Sequence, residues 1–242
     1  MLPADTGREG LLSRAQELSF YGHNAEFRRI EVSPDGRLAA SSADDGTLRV
    51  WNVDSGLPEQ FIVNIHGAPV ERLVFEPGGT LIGILNDSSA AIVDAKSGDI
   101  IARFELGERH TGFALADRDH LYLGSISGAL RVIARDAGGA WGLQSLWQGD
   151  AAIRWLEASS KSRSLVLVDE NNLAQQFNLA EGRIGDQTLQ LPSAIDEVSF
   201  TPGGLRVLFR TTNWVHRAST SAMGLFWLDA ILVPKALAHT RM

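Results

Sequence analysis

Short apolar runs of strand length alternate with turn sequences along most of the chain. The runs alternate in polarity or are rich in β-branched residues, and they fall at 30–32, 38–40, 48–51, 81–84, 121–123, 130–133, 165–168 and 207–209. Sequences in which glycine follows proline separate several of them, at 34–36, 77–79 and 202–204. Proline fixes φ at the first central position of a turn, and glycine tolerates a positive φ after it. The pattern predicts an all-β protein and is compatible with a sandwich, a barrel or a propeller.

A period of about 42 residues distinguishes among these three folds. We anchor each repeat on the apolar residue just before its turn. The five anchors are Val32, Phe75, Leu115, Ala158 and Phe200, and successive anchors are 43, 40, 43 and 42 residues apart. A propeller blade takes about 40–45 residues, and each blade covers an apolar face of its neighbour, whereas a sandwich has no fixed period. The sequence therefore predicts an all-β β-propeller of about five four-stranded blades.

The first repeat carries a resemblance to a known family. It contains Gly22-His23, the turn sequence VSPDG at 32–36 and the stretch SSADDGTLRVWN at 41–52. This repeat resembles a WD-repeat unit, with Trp-Asn where the family usually has Trp-Asp. The resemblance implies a β-propeller whose blades run from strand a at a central channel to strand d at the rim.

The same resemblance implies a buried hydrogen-bond network within the blade. In the family it joins the His of the d–a loop, a Ser or Thr of strand b, an Asp of the b–c turn and the Trp of strand c. Such a network ties strands together because buried polar groups must be paired. By position the members are His23, Ser42, Asp44 or Asp45, and Trp51.

The later repeats retain less of the motif. Repeat two keeps His66 and Asp87 but has Val93 in place of the Trp, and repeat three has Leu106 and Ile133 in place of the His and the Trp. We therefore expect most blades to depend on apolar packing rather than on the network.

The two ends of the chain leave ring closure open. Residues 1–10 are expected to be an N-terminal extension and 11–242 the propeller, with repeats at about 23–65, 66–106, 107–149, 150–191 and 192–242. Both 11–21 and 225–233 occupy the position of a strand d. The chain is then either a five-bladed ring with one redundant strand or the C-terminal part of a larger propeller. The resemblance favours the second arrangement, because members of that family usually have seven or more blades.

Composition and charge restrict the expected partners. The 242 residues include 29 acidic and 22 basic side chains, with a net charge of -7 and no basic run longer than Arg28-Arg29, so nucleic-acid binding is not expected. Without cysteine, disulfides and thiolate chemistry are excluded. The first ten residues lack the apolar segment of a signal peptide, and no run of about 18 apolar residues occurs. We expect no membrane association and a cytoplasmic location.

Catalytic motifs are not found in the sequence. The six His residues are interpreted as structural rather than as metal ligands, and the adjacent Asp44 and Asp45 as turn residues rather than an acid–base pair. The sequence has no GxSxG elbow, phosphate-binding loop or HExxH helix. We therefore expect neither a cofactor nor a metal, and no enzymatic activity.

Five polar positions form a candidate binding site, which we call the mouth residues. Each lies four residues before an anchor, and two residues later every repeat has an apolar residue. The mouth residues are Arg28, Glu71, Thr111, Arg154 and Asp196. Because strand a lines the channel in the family, we expect them to ring the channel mouth. They form either a polar plug whose charges pair with one another or part of a peptide-binding surface.

These observations predict a non-enzymatic protein–protein interaction scaffold or recognition module. A further hypothesis is that this module is part of a larger signalling polypeptide. The expected partners are proteins of unknown identity, and self-association is expected if the ring is incomplete. The alternative is a propeller hydrolase or lyase with a site over the channel. It would have to use Glu71 and Asp196, the two acids among the mouth residues.

Overall fold

The computed structural model describes residues 22–62, 69–159, 161–201, 203–221 and 224–232. Within these ranges the chain forms twenty strands and no helix, so no described segment offers a helix that could cross a membrane. Segment 11–21, predicted as an extra strand d, and His66 lie outside the described residues.

The strands form five consecutive groups of four, which we number as blades 1 to 5. Blade 1 contains β1 (Phe27–Val32), β2 (Leu38–Ala43), β3 (Leu48–Asn52) and β4 (Pro58–Ile62). Blade 2 contains β5 (Arg72–Phe75), β6 (Leu81–Leu85), β7 (Ser89–Asp94) and β8 (Ile100–Glu105). Blade 3 contains β9 (His110–Leu115), β10 (His120–Ser125), β11 (Ala129–Arg135) and β12 (Trp141–Gln148). Blade 4 contains β13 (Ile153–Ser159), β14 (Ser164–Asp169), β15 (Leu173–Asn178) and β16 (Arg183–Gln190). Blade 5 contains β17 (Glu197–Phe200), β18 (Arg206–Arg210), β19 (Trp214–Ser221) and β20 (Gly224–Leu232).

Each blade is an antiparallel meander in which strands a to d pair in chain order. The first strands of consecutive blades, β1, β5, β9, β13 and β17, contact one another in that order. They therefore form the inner wall of the propeller, and the fourth strands lie at the rim. Blades 4 and 5 are also joined at the rim, where β16 and β20 pair in parallel at Gln187 and Gly224. The prediction of an all-β propeller with five four-stranded blades is confirmed.

The turn chemistry explains where strand a ends in each blade. Four anchors are the last residue of their strand, and Ala158 is the last but one. In the a–b turns of blades 1 and 2, Gly36 and Gly79 adopt φ of 74° and 73°. That left-handed conformation is favourable for glycine, and each N–H closes the turn by donating to the carbonyl three residues earlier, at 2.8 and 2.9 Å.

Four apolar layers fill the spaces between consecutive blades. Strand residues on alternating positions face the preceding and the following blade, so each layer takes side chains from two sheets. Buried members include Val50 and Phe75 between blades 1 and 2, Leu85 and Leu123 between blades 2 and 3, Leu130 and Leu167 between blades 3 and 4, and Val168 and Phe209 between blades 4 and 5.

Blades 1 and 5 each have one face that no described blade covers. On blade 1, Ile30 and Val32 are 48% and 53% exposed, whereas the equivalent Leu73 and Phe75 of blade 2 are 5% and 6% exposed because blade 1 packs on them. The outward face of blade 5 has different chemistry. Arg206 and Arg210 occupy positions of β18 where β14 has Ser164 and Val168.

Candidate functional site

A continuous chain of hydrogen bonds runs through blade 1. Trp51, which is 1% exposed, donates from its indole Nε1 to Ser41 Oγ at 2.7 Å. Ser41 Oγ lies 2.8 Å from His23 Nε2, and His23 Nδ1 lies 3.0 Å from Thr47 Oγ1. Thr47 in turn donates its hydroxyl to Asp45 Oδ1 at 2.6 Å. The chain links the d–a loop to strands b and c and to the turn between them.

The donors and acceptors of this chain are satisfied by a neutral His23. Ser41 accepts from the indole and Thr47 donates to Asp45, so Ser41 can donate to Nε2 while Nδ1–H donates to Thr47. Burial lowers the pKa of His23, although Asp45 opposes that shift. For Asp45, burial is outweighed by hydrogen bonds from the Thr47 hydroxyl and the backbone N–H groups of Asn24 and Thr47. Together they lower its pKa to about 2.

The structure places Ser41 in the position predicted for Ser42. Side chains alternate between the two faces of a strand, and Ala39, two residues before Ser41, pairs with Trp51. Ser41 therefore shares the face of Trp51, whereas Ser42 faces the other side. There Ser42 is buried, and its Oγ has no hydrogen-bond partner among the described residues.

Of the two aspartates that the sequence left open, Asp45 joins the network and Asp44 pairs with Arg28. The sequence reasoning missed Thr47. Thr47 could have been recognised by its position two residues after Asp45, because a threonine there can donate both its backbone N–H and its hydroxyl to the Asp45 carboxylate.

Three of the mouth residues line one cleft of about 510 Å³, which we call the mouth cleft. They are Arg28, Glu71 and Thr111, which come from blades 1, 2 and 3. Arg154 lines a second cleft of about 520 Å³ that shares Thr111 with the first. Asp196 lines neither cleft and lies 3.9 Å from Arg210. The structure thus brings four of the five residues to two adjoining clefts.

Most charges of the mouth cleft are paired between or within blades. Arg109 lies 3.0 Å from Asp87 and 3.5 Å from Glu71, and Arg29 Nε donates to the Glu71 carbonyl at 3.0 Å. Thr111 donates its hydroxyl to the backbone carbonyl of Ile153. These pairs are the self-paired arrangement that the plug interpretation expects, and most of them are exposed to solvent.

One cation joins the two clefts, and sequence reasoning missed it. Arg72 lines both clefts, and its guanidinium carbon lies 5.6 Å from the centre of the Trp155 ring, within the range of a cation–π contact. This contact connects blade 2 to blade 4. Burial lowers the pKa of Arg72, and the positive charge of Arg29 adds to the shift. Arg72 forms no ion pair with any described residue.

The strand face that lines the channel differs from the expectation. Arg72 and Trp155 lie three residues before their anchors, one position away from the mouth residues, and they meet across the channel. By contrast, Leu73 and Leu156, which share a strand face with the mouth residues, are buried in the layers between blades. Strands β1 and β13 shift register beside their mouth residues, between Phe27 and Arg29 and between Ile153 and Trp155, and such a bulge re-aims the side chains next to it. Strand β5, which carries Arg72, pairs with β6 without a shift.

Acidic side chains follow further along the channel. Burial and the charges of Glu31 and Glu197 raise the pKa of Glu157 to about 7. Burial also raises the pKa of Glu31, with Arg29 opposing and Glu197 reinforcing the shift. Among the described residues, no group of three or more His, Asp or Glu side chains is arranged to hold a metal ion.

Comparison with known proteins agrees with this architecture. The sequence profile "WD domain, G-beta repeat" matches residues 15–52, which include the blade 1 network. A crystal structure of the RRP9 WD40 repeats superposes with a TM-score of 0.68 over 84% of this chain and 63% of that chain, at 18% identity, a level that shows the fold alone. The chain folds as a β-propeller, and its first blade is a WD repeat.

Two relatives of this WD-repeat propeller show how local the sequence similarity is. A ribosome biogenesis protein BOP1 homolog of Leishmania braziliensis is 34% identical over 84 residues, which is 34% of this chain and 11% of that protein. A cross-pathway control WD-repeat protein 2 of Flammulina velutipes is 33% identical over 82 residues, which is 34% of this chain and 25% of that protein. The match spans a quarter or less of either relative.

Proposed function

We propose that this WD-repeat propeller is a non-enzymatic protein-interaction module whose partner docks on the mouth cleft and the adjoining second cleft. The observation that carries the proposal is the contact of Arg72 with Trp155 at the junction of the two clefts. Arginine and tryptophan are the residues most often found at the energetic centre of protein interfaces. Arg72 also forms no ion pair with a described carboxylate, so a partner segment with an acidic side chain fits this position.

The paired charges around Arg72 have a different role in this proposal. Arg28 with Asp44 and Arg109 with Asp87 are exposed ion pairs, which contribute little to folding stability. Such groups act mainly on the encounter rate and on specificity, and salt screens their effect. The polar-plug and binding-surface interpretations therefore describe different residues: the exposed pairs surround the surface, and Arg72 lies at its centre.

The experiment is site-specific photo-crosslinking in the native host. A benzophenone amino acid replaces Ile126, an exposed residue that lines the second cleft. In the control protein the benzophenone amino acid replaces Leu57, an exposed residue in the turn between β3 and β4. We expect a discrete protein adduct from position 126 alone, and the substitution Arg72→Ala should weaken it at least about tenfold, as for a central interface residue. Arg103→Ala, an exposed arginine on β8, is the matched control and should leave the adduct intact.

The double variant Arg28→Ala with Arg154→Ala separates the two earlier interpretations. We expect it to fold with unchanged unfolding free energy and to lose partner capture most strongly at low salt, where screening is least. Unfolding of this variant would support the plug. An adduct at position 126 that survives both the double variant and Arg72→Ala would contradict docking at the mouth.

The relatives bear on the cellular setting. A relative named as a ribosome biogenesis protein supports a scaffold within a macromolecular assembly more than a signalling role. That the partner is a protein rather than nucleic acid, and that the location is cytoplasmic, stay predictions. The hydrolase or lyase alternative requires Glu71 and Asp196 to converge, whereas Glu71 lies beside Arg109 and Asp196 beside Arg210.

A further inference from the structure

A further cavity, distinct from the mouth cleft and the second cleft, lies at the opposite end of the channel, at the a–b turns. We call it the lower cavity. Its volume is about 670 Å³. All five blades contribute to it, and most of its wall is apolar. The apolar side chains are those of Pro34, Val74, Phe75, Pro77, Ala114, Leu115, Ala158 and Phe200. A cavity of this size and composition is typical of small-ligand or side-chain binding sites.

Glu157 is the one carboxylate in the described wall of the lower cavity. It comes from β13, and its side chain has no hydrogen bond or ion pair with any described residue. The charged groups that face it are Glu31 of β1 and Glu197 of β17, which are both acidic. Lys161, in the a–b turn of blade 4, lines the same cavity, but no cation is among the groups that shift the pKa of Glu157.

An unpaired carboxylate in a largely apolar cavity is unfavourable, and an incoming cation would stabilise it. The apolar walls suit an aliphatic chain, and side-chain oxygens are few: besides Glu157, only Ser159 and Thr201 supply them. An ammonium has three donors, whereas a guanidinium has five in a fixed plane and would leave more of them unpaired. The cavity therefore fits a lysine side chain better than an arginine.

We propose that the lower cavity binds a lysine side chain of a protein partner, with the ammonium at Glu157 and the aliphatic stem against Val74, Leu115 and Phe200. This site is on the opposite face from the mouth cleft, so it is independent of the function proposed above. It gives the propeller two docking faces with opposite charge preference, one for an acidic segment and one for a basic side chain.

The binding depends on pH in a defined direction. Burial, Glu31 and Glu197 hold the pKa of Glu157 near 7, so the carboxylate is mostly protonated at pH 6 and mostly ionised at pH 8. Lysine remains protonated throughout this range. Binding should therefore tighten between pH 6 and pH 8 and should release protons near neutral pH.

The test is a titration followed by NMR and calorimetry with two capped amino acids, Nα-acetyl-lysine N-methylamide and its Nε-acetylated form. They share a shape and differ in the ammonium. We expect the charged probe to bind at least about tenfold more tightly at pH 8 and to shift the resonances of Val74 and Leu115, consistent with a charge-assisted contact. Calorimetry in buffers of different ionisation enthalpy should show proton release at pH 7.

Glu157→Gln is the decisive variant because it keeps the size and removes the charge. The folded state binds more protons than the unfolded state between the ordinary glutamate pKa of 4.5 and about 7, so ionised Glu157 destabilises the fold above pH 7. The variant should therefore fold at least as stably as the wild type at pH 8. It should lose the preference for the charged probe and the proton release. Glu170→Gln, an exposed acid in the second cleft, is the control and should retain both.

Three outcomes would overturn the proposal. They are equal binding of the two probes, equal affinity of the wild type and Glu157→Gln, and resonance shifts confined to the mouth cleft. A third probe, n-hexylammonium, separates the sources of the ammonium: binding of this free amine without binding of the capped lysine would show a small-amine site rather than a docking site for a protein.

Discussion

At the scale of single residues, blade 1 depends on hydroxyl groups that the motif alone did not place. Ser41 and Thr47 are the two hydroxyls that connect Trp51, His23 and Asp45. Position in the repeat predicted the ends of this chain, the His and the Trp. It did not predict which of two adjacent serines faces them, because a shift of one residue along a strand exchanges its faces.

The adjacent serines give a matched test. Ser41→Ala should reduce the unfolding free energy by about 1–3 kcal/mol because it removes the buried hydroxyl that bonds both Trp51 Nε1–H and His23 Nε2. Trp51→Ala should cost about 3–5 kcal/mol as a large-to-small change in the core. Ser42→Ala removes a hydroxyl that has no partner in the described structure and should be neutral or slightly stabilising.

Urea denaturation of the three variants measures these differences. Equal losses for Ser41→Ala and Ser42→Ala would contradict the network as the structure shows it. If Ser41→Ala and Trp51→Ala each lower the unfolding free energy by less than about half a kcal/mol, the network does not stabilise the fold, since ordinary surface substitutions fall in that range.

At the scale of strands and blades, period and turn chemistry were sufficient to predict the architecture. Each anchor lies at the end of a strand a or one residue before it, because the turn residues that follow have few other conformations. The channel face could not be predicted in the same way. Strands β1, β9 and β13 each have a register shift near the end that carries the mouth residues. Nothing in a single sequence marks such irregularities in pairing.

The contact between blades 3 and 4 depends on a residue without a side chain. A Cβ at Gly124 of β10 would lie 2.5 Å from Cγ2 and 2.8 Å from Cβ of Ile153. Gly124→Ala should therefore destabilise the protein by about 1–3 kcal/mol through overpacking. Ile153→Ala in the same chain should recover part of that loss, because it removes Cγ2, the nearer of the two clashing atoms, while Cβ remains.

The control is Gly142→Ala on β12, where a Cβ would have no atom within 4 Å. Alanine there should be neutral or slightly stabilising, since it reduces the conformational freedom of the unfolded chain. Thermal unfolding of the wild type, Gly124→Ala, Ile153→Ala and the variant that combines both substitutions forms a double-mutant cycle. Additive effects of Gly124→Ala and Ile153→Ala would show that the close approach of the blades does not set the cost.

At the scale of the whole molecule, the two end blades have uncovered faces of different chemistry. The face of blade 1 is apolar around Ile30 and Val32, and that of blade 5 includes Arg206 and Arg210. The equivalent positions in blade 2 are buried by blade 1, so the face of blade 1 has the composition of a blade interface. An apolar sheet face of this kind favours association with another sheet.

We therefore expect the isolated chain to self-associate through the outer face of blade 1. Replacing both Ile30 and Val32 by Lys should shift the protein to a monomer, because it places two charges on the apolar face. Replacing Ile100 and Ile101, two exposed isoleucines of β8, by Lys changes the same number of exposed apolar residues elsewhere and should leave the association unchanged. Sedimentation velocity over a wide concentration range distinguishes these outcomes. A wild-type chain that sediments as a monomer at every concentration, with a single sharp unfolding transition, would instead favour a closed ring in which that face is covered.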